Sequence, residues 1–503
     1  NSGIADGTQG LRIQIAHSTN LTVLDRSTET FSIPEINDNF YVNDGSTTGD
    51  EFTSAIGNNR STGKVASAPK PYPTNILRIY TLGANQTLTV DHGNYPLIHP
   101  LIIGNAQSVG DDEGFTLRGA VAGTTQFSHA NPFTVAPIID LNDADFMTIQ
   151  DVSVSGGRQG IHVRNISTDL DLTRVRLVSN TSEGLLIEAG STADVLNQLV
   201  ASNNTGNGIR ILGTLNTLSN STISGNLATG LVLNNVGSAT VTGNSISNNL
   251  GINSNGVEIV GTQGTPVVFG GSDLSLGLGN RVFNNGRNGV LVNGNAIVAG
   301  NIVYGHTASA ASGIVSSNGS VTANVIHGNT VGVTNNSSGS GAVSENRIYN
   351  NVDAGIVQSN GSSLMNVIYS NGVGARINAG QFRNNLVYDN TMRGASIDGQ
   401  NVQFVNNTVH QQAGEAVRVQ AGQTQLHNNV FWVDGNLGNV AVLVTSNGHT
   451  GLASDFNVFH LTNDAGAGQW EGARYGTLTG FQTVSQSNLS SVQTNPLFVN
   501  TAG

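Results

Sequence analysis

Polar and apolar positions alternate in short bursts that return at a nearly fixed distance through residues 280–434. NIVYGH from Asn301, NVIHGN from Asn324, NRIYNN from Asn346, NVIYSN from Asn366, NLVYDN from Asn385, NTVHQQ from Asn407 and NVFWVD from Asn429 lie under one another, with steps of 19 to 23 residues between the leading asparagines. About ten residues after most of them stands Gly followed by a small or branched apolar residue, as in Gly313-Ile314, Gly332-Val333 and Gly355-Ile356. Alternation with period two predicts strands rather than helices. In NRIY, Asn346 and Ile348 should face one way, Arg347 and Tyr349 the other. One such repeat cannot bury its apolar side alone, so the repeats must stack. Two or three short strands per repeat predict an all-β, right-handed parallel β-helix, a solenoid with capped ends. A leucine-rich repeat would need a helix-forming half and a Leu signature, and neither is present.

Turn starts fall near Asp151, Arg174, Asn197, Asn220, Asn244, Asn280 and the seven asparagines above, thirteen in all. At the usual strand spacing these make a rod of roughly 60 Å. The stretch GTQGTPVVFGGSDLSLGLG before Asn280 reads as a protruding loop. After Asp434 the register weakens, with Ala441–Thr445 expected as one more strand. The chain thus divides into residues 1–38, N-terminal strands forming a cap or the tail of a preceding module; 39–150, a β-helix entry segment and cap whose turns would lengthen the rod; 151–435, regular β-helix coils; and 436–503, a last coil and C-terminal capping extension.

Stacking puts like residues above like. The leading asparagines should sit at a bend with their amides bonding the turns above and below. A second column holds Asn203, Asn226, Asn249, Asn285, Asn329, Asn351, Asn371 and Asn390. The Asn and Gly richness reads as turn chemistry, since both tolerate φ > 0. Three residues after the leading Asn comes a column of rings: Phe283, Tyr304, His327, Tyr349, Tyr369, Tyr388, His410 and Trp432. Strand parity sends it outward. Such rings either stack on one another to hold the sheet or offer apolar surface and polar handles to sugars.

Charge narrows the partners. Only 10% of residues are charged and the net charge is −12. Lys64 and Lys70 are the two lysines and no basic patch stands out, so nucleic acid is not an expected partner. There is no Cys, hence no disulfide framework. No apolar run is long enough to span a membrane. The opening NSGIADGTQG has no signal-peptide pattern, and the chain reads as a mature protein or a segment of something longer.

Candidate chemistry is sparse. A uronate lyase or epimerase needs a base for the C5 proton and a group that neutralises the carboxylate. The best set is Tyr388 or His410 as base with Arg393 and Arg418 as clamp, beside Asp389 and Glu415. The plainer reading of the same residues is an arginine–carboxylate ladder beside a stacked ring. Asp140, Asn142, Asp143 and Asp145, like Asp111-Asp112-Glu113, gather oxygen atoms of the kind calcium accepts. Calcium is the one cofactor considered, and none is required.

The opening segment carries Phe40-Tyr41-Val42, Asn43, Asp44 and Gly45, then Asp91, Gly93 and Tyr95; the closing segment carries Asp455-Phe456-Asn457, Thr477–Gln482 and Asn495–Val499. These motifs resemble the two ends of secreted β-helix repeat proteins. Together with Leu24-Asp25-Arg26-Ser27-Thr28 and FSIPE, they resemble modules repeated within very large extracellular proteins of planctomycete-type bacteria. The resemblance implies an extracellular or cell-surface place and a structural role. Two readings stay open: a non-catalytic rod or adhesion module that contacts glycans through Tyr304, His327, Tyr349, Tyr369, Tyr388, His410 and Trp432, and a lyase or epimerase acting on acidic polysaccharide. Partners would be a polysaccharide or cell-surface glycan, neighbouring modules of the same polypeptide, or other copies of the chain.

Overall fold

A computed structural model describes residues 38–104, 112–121, 124–131, 135–261, 264–271, 278–338 and 341–498, and the backbone of two short strands before them. Those two, Gln14–Ala16 and Leu24–Arg26, pair antiparallel. The rest of residues 1–37, which holds most of the expected cap or tail, lies outside the described residues, as does Asp111.

From Asn39 onward the chain coils into three parallel sheets. Each turn gives one strand to each sheet, as in Ala342–Ser344 (sheet one), Arg347–Tyr349 (sheet two) and Ala354–Gln358 (sheet three). Sheets one and two each run through seventeen strands; sheet three ends where Gly466–Trp470 pairs antiparallel with Ala473–Tyr475. Sixteen rung steps at the usual spacing give a rod of about 80 Å. From Val152–Ser155 to Val458–Leu461, sheet two contributes fourteen strands, one more than the thirteen expected turns.

The interior is a column of aliphatic and aromatic side chains in register. Val303, Ile326, Ile348, Ile368, Val387, Val409, Phe431 and Phe459 are each fully buried on sheet two, as alternation requires. Phe382 and Phe404 stack inside sheet one at 5.3 Å. Burying these side chains supplies most of the driving force, at about 25 cal/mol per Å².

The bends rest on the asparagines. Asn346 donates from its backbone N and from Nδ2 to Asn366 Oδ1 at 3.0 Å each, and from Nδ2 to the Val321 carbonyl at 2.9 Å. Its Oδ1 accepts the same pair from Asn324 at 2.9 and 3.0 Å. The pattern repeats from Asn244 to Asn457. The residue before nearly every ladder Asn is left-handed even when it is not glycine, as at Glu345 (φ 59°) and Met365 (φ 55°). An isolated L-residue resists that conformation by about 1–2 kcal/mol, and the ladder bonds hold it there.

Several expectations shift. In the first turns the ladder position is Val152, Val175, Leu199 and Ser221, so the expected starts Asp151, Arg174, Asn197 and Asn220 stand one or two residues early. Asp151, Arg174 and Asn220 are the left-handed corner residues instead. The second ladder runs through Asn204, not Asn203, which is itself left-handed. The stretch expected to protrude before Asn280 contains Val267–Gly270, a full rung of sheet one paired with Ala296–Ala299. The entry segment before residue 151 is coiled as well, with Thr87–Val90, Gly93–Leu97 and Leu101–Gly104 supplying one strand to each sheet. The register also persists past Asp434: Asn429 bonds Asn457, whose strand carries Phe459 inward.

The glycine column is set by space rather than by φ. A Cβ on Gly355 would lie 2.7 Å from the Gly374 carbonyl oxygen, 2.7 Å from Ile368 and 3.0 Å from Asn371 Nδ2. Where the second ladder is asparagine, a bare backbone lets sheet three leave it; beyond Gly394 the same column holds Ala416 and Ala441.

Both ends are closed. Pro73, Ile76 and Leu77 of the short helix Pro73–Leu77 are buried against the first turns. The resemblance motif of the opening segment is a hydrogen-bonded knot. Asp91 accepts from the backbone N of Glu51, Phe52, Thr53 and His92 at 2.7–3.0 Å, and Tyr95 donates its hydroxyl to the Asp91 carbonyl. These donors hold the Asp91 carboxyl below its ordinary range although burial pushes it up. Gly93 (φ 152°) passes so close to Asp44 that a Cβ would sit 2.3 Å from its carboxylate. At the far end the helix Leu478–Ser485 buries Leu478 and Phe481, the latter against Trp470. Val492–Gln493 then adds a last rung to sheet two.

Candidate functional site

The outer face of sheet two is the most distinctive surface. From Arg281–Phe283 to Val430–Val433 each strand there is three or four residues long, with an inward side chain buried and the residues beside it pointing out. The parity argument therefore holds, and the ring column stands outside. Phe283, Tyr304, His327, Tyr349, Tyr369 and Tyr388 form an unbroken stack with centroids 4.9–5.1 Å apart and planes within 15°. Ring contact resumes between His410 and Trp432 at 4.4 Å, with the planes tilted by 35°. This spacing is the rung spacing itself, because consecutive turns set each ring above the last. The rings are half-buried. Their faces cover one another, and edges and hydroxyls are what remain toward solvent. A sugar lying flat on a ring face has no place along the stack.

Beside the rings runs a second outward column, in which Ile302 and Leu386 are well exposed. Arg281 and Arg347 belong to it. Arg281 Nη2 donates to Tyr304 Oη at 3.3 Å and Arg347 Nε to Tyr369 Oη at 2.8 Å, each reaching one turn forward. The Arg347 guanidinium also lies 5.3 and 5.5 Å from the Tyr349 and Tyr369 ring centroids. The hydroxyl contact raises the Arg347 pKa further. Sequence reasoning passed over both arginines, although an Arg two residues before an outward ring was a readable signal.

The proposed catalytic residues fall into two groups. Tyr388 and His410 are neighbours on sheet two, as expected, and Asp389 Oδ1 lies 3.7 Å from His410 Nδ1. Burial lowers the His410 pKa and raises that of Tyr388. Arg393 and Arg418 stand beyond the corner on sheet three, and both turn to Glu415: Arg393 Nε at 3.5 Å and Arg418 Nη2 at 2.7 Å from its carboxylate. Among the described residues no hydrogen bond or ion pair joins the two groups. The arrangement is an arginine–carboxylate ladder beside a ring stack.

The four residues considered for calcium have protein partners of their own. Asp140 binds the Arg164 guanidinium through both oxygens at 2.9 Å. Asp145 accepts from Thr168 N and Oγ1 at 2.8 Å, and Asn142 accepts from Asn165 at 2.5 Å. Asp143 lies in a left-handed turn (φ 58°). Among the described residues no three His, Cys, Asp or Glu side chains converge as a metal site. The other acidic stretch is structural at Asp112, whose Oδ1 accepts from Leu82 N at 2.7 Å.

Two further features went unread in the sequence. Sheet three carries a charged patch in which His162 Nε2 lies 2.8 Å from Glu188 while its Nδ1 faces Asp140 at 3.9 Å. The partners are 22 to 26 residues apart, visible only once the register is known. His306 takes an asparagine's place in the second ladder. Its Nδ1 and backbone N reach Asn329 Oδ1 at 2.9 and 3.1 Å, and Nε2 receives Asn285 Nδ2 at 3.2 Å. Burial lowers its pKa to about 4.

Fold and site together define a parallel β-helix with an edge-on stack of rings along one face. The chain matches a family model described as a right handed beta helix region over residues 138–312 and 278–431, more than half its length, and it belongs to that family. No curated protein matches it. Solved structures with some likeness include the A-module of mannuronan C-5 epimerase AlgE6 of Azotobacter vinelandii, 14% identical over 82% of this chain and 91% of that one, with a TM-score of 0.21. Pectate lyase Pel9A is 14% identical over 68% and 76%, with a TM-score of 0.27. The enzymatically active domain of tailspike protein 2 of bacteriophage CBA120 is 15% identical over 78% and 60%, with a TM-score of 0.38. Likeness this low transfers no residue role. Among the described residues no helix is long and apolar enough to cross a membrane.

Proposed function

We propose that the chain is a non-catalytic, secreted β-helix module, a stiff rod within a larger cell-surface or extracellular protein, that contacts polysaccharide through the outer face of sheet two. The observation that carries this reading is the ring stack itself. One half-exposed ring per turn, edges and hydroxyls outward, gives a linear polymer a row of equivalent contacts along the axis. The ladders add rigidity, because each turn is hydrogen-bonded to both neighbours. Neighbouring modules, or other copies of the chain, would dock at the ends or sides of such a rod.

The lyase or epimerase reading keeps one favourable feature, a neutral His410 beside Tyr388. Its expected clamp is already engaged, since Arg393 and Arg418 are both turned to Glu415. Calcium at Asp140, Asn142, Asp143 and Asp145 has no required part in either reading.

One experiment separates these readings. The purified chain is passed through gels cast with alginate, polygalacturonate or a neutral β-glucan, with and without chelator, and each mixture is followed for unsaturated products and chain shortening. Retardation by a polymer without turnover is the expected result. Turnover that disappears in His410→Ala would establish the enzyme reading instead. Retardation lost on chelation would give calcium a role.

A further inference from the structure

The outward positions of the eight strands from Arg281–Phe283 to Val430–Val433 hold rings, aliphatic side chains, one threonine and two charges, Arg281 and Arg347. None of those sixteen positions is acidic, in a chain whose net charge is −12. The nearest carboxylates in sequence, Glu345, Asp389 and Asp434, stand outside the strands, at their ends. Several arginines elsewhere on the rod are matched to acids, among them Arg164 to Asp140, Arg174 to Asp151, Arg376 to Asp353 and Arg418 to Glu415. Arg281 and Arg347 are held instead by the tyrosine hydroxyl of the next turn, through Nη2 at 3.3 Å and through Nε at 2.8 Å. A neutral hydroxyl fixes the direction of a guanidinium without cancelling its charge. It also leaves most of the planar donor fork open, and that fork suits a carboxylate or sulfate.

From these observations we infer that the ring face selects an acidic polysaccharide, lying along the rod axis, whose anionic groups meet Arg281 and Arg347. This rests on the glycan-contact reading and deepens it. Three rung steps separate the two arginines, about 14 Å. One rung is close to the length of one sugar residue in an extended chain, so an oligomer of about four residues is the shortest that engages both. A nucleic acid fits less well. Two cations give little phosphate attraction, and rings already stacked on one another leave no face for a base.

The test compares the intact chain with Arg281→Gln/Arg347→Gln and Tyr304→Phe/Tyr369→Phe, titrated with alginate, polygalacturonate, a neutral β-glucan and duplex DNA. The Phe pair keeps the stack and releases only the guanidiniums, so its unfolding midpoint should match that of the parent. The expected result is binding of the acidic polymers in preference to the glucan, a loss of about tenfold or more in the Gln pair, and a smaller loss in the Phe pair. Alginate oligomers of two residues should bind more weakly than those of four. Equal binding of acidic and neutral polymers, unchanged in the Gln pair, would overturn the charge selection and leave the glycan-contact reading standing. Failure of every polysaccharide to bind would remove both. Preference for DNA would replace the polysaccharide with a different polyanion.

Discussion

At the scale of single residues the two ladders dominate. Asn346 satisfies a backbone N–H of the turn before it and borrows an acceptor from the turn after it, inside a dry core. Asn346→Ala strips those groups of partners together. It should lower unfolding free energy by about 3 kcal/mol, read from denaturant midpoints at constant m-value. His306 makes the side-chain bonds along the second ladder, to Asn329 and from Asn285, with a group that titrates. Its ordinary pKa is 6.5 and in the fold it is about 4, so the unfolded chain binds the proton first on acidification. The stability it contributes is complete above pH 6.5 and is lost as the pH falls toward 4, by on the order of 3 kcal/mol. His306→Asn should leave stability at pH 7 nearly unchanged and make the protein more stable than the parent at pH 5. A parallel acid loss in both proteins would contradict the ladder role. Legibility was mixed at this scale. The asparagine columns could be read because they repeat. His306 broke the pattern, and only geometry shows that an imidazole spans the same gap.

At the scale of strands, the short segments of sheet two show what alternation fixes and what it leaves open. Period two set Ile348 inside and Tyr349 outside. It could not say whether outward rings would offer faces or edges, because that depends on the offset between turns. With a turn directly above and below, a ring satisfies its apolar faces on its neighbours. Tyr349→Ala removes two stacked contacts, with His327 and Tyr369, and should cost about 2 kcal/mol, while Tyr349→Phe should cost little. The candidate catalytic set is divided for a related reason. Arg393 and Tyr388 are close in sequence, but the chain turns a corner between them, and the corner sends their side chains to different sheets.

At the scale of the molecule, stability is a sum over neighbouring turns. Deleting residues 366–384 removes one full turn and joins Met365, already left-handed, to the ladder residue Asn385. The shortened rod should fold, with a melting temperature within about 5 °C of the parent. Deleting residues 366–375 removes a strand of sheet two and splits one of sheet three. That variant should be insoluble or lack the β-sheet circular dichroism of the parent. Both outcomes are checked by circular dichroism and gel filtration.

By itself, the sequence determined the repeat length, the parallel β-helix, which residues face inward, and where the ring column lies. These follow from local alternation and from periodic identity, which survive without coordinates. Only the tertiary structure decided the exact ladder positions in the early turns, the rung hidden before Asn280, the glycine column's dependence on space, and the pairing of arginines with acids or tyrosines. Those are contacts between residues one turn apart, about 20 positions along the chain. Their partners change with a register shift of a single residue, which reverses every side chain from core to solvent.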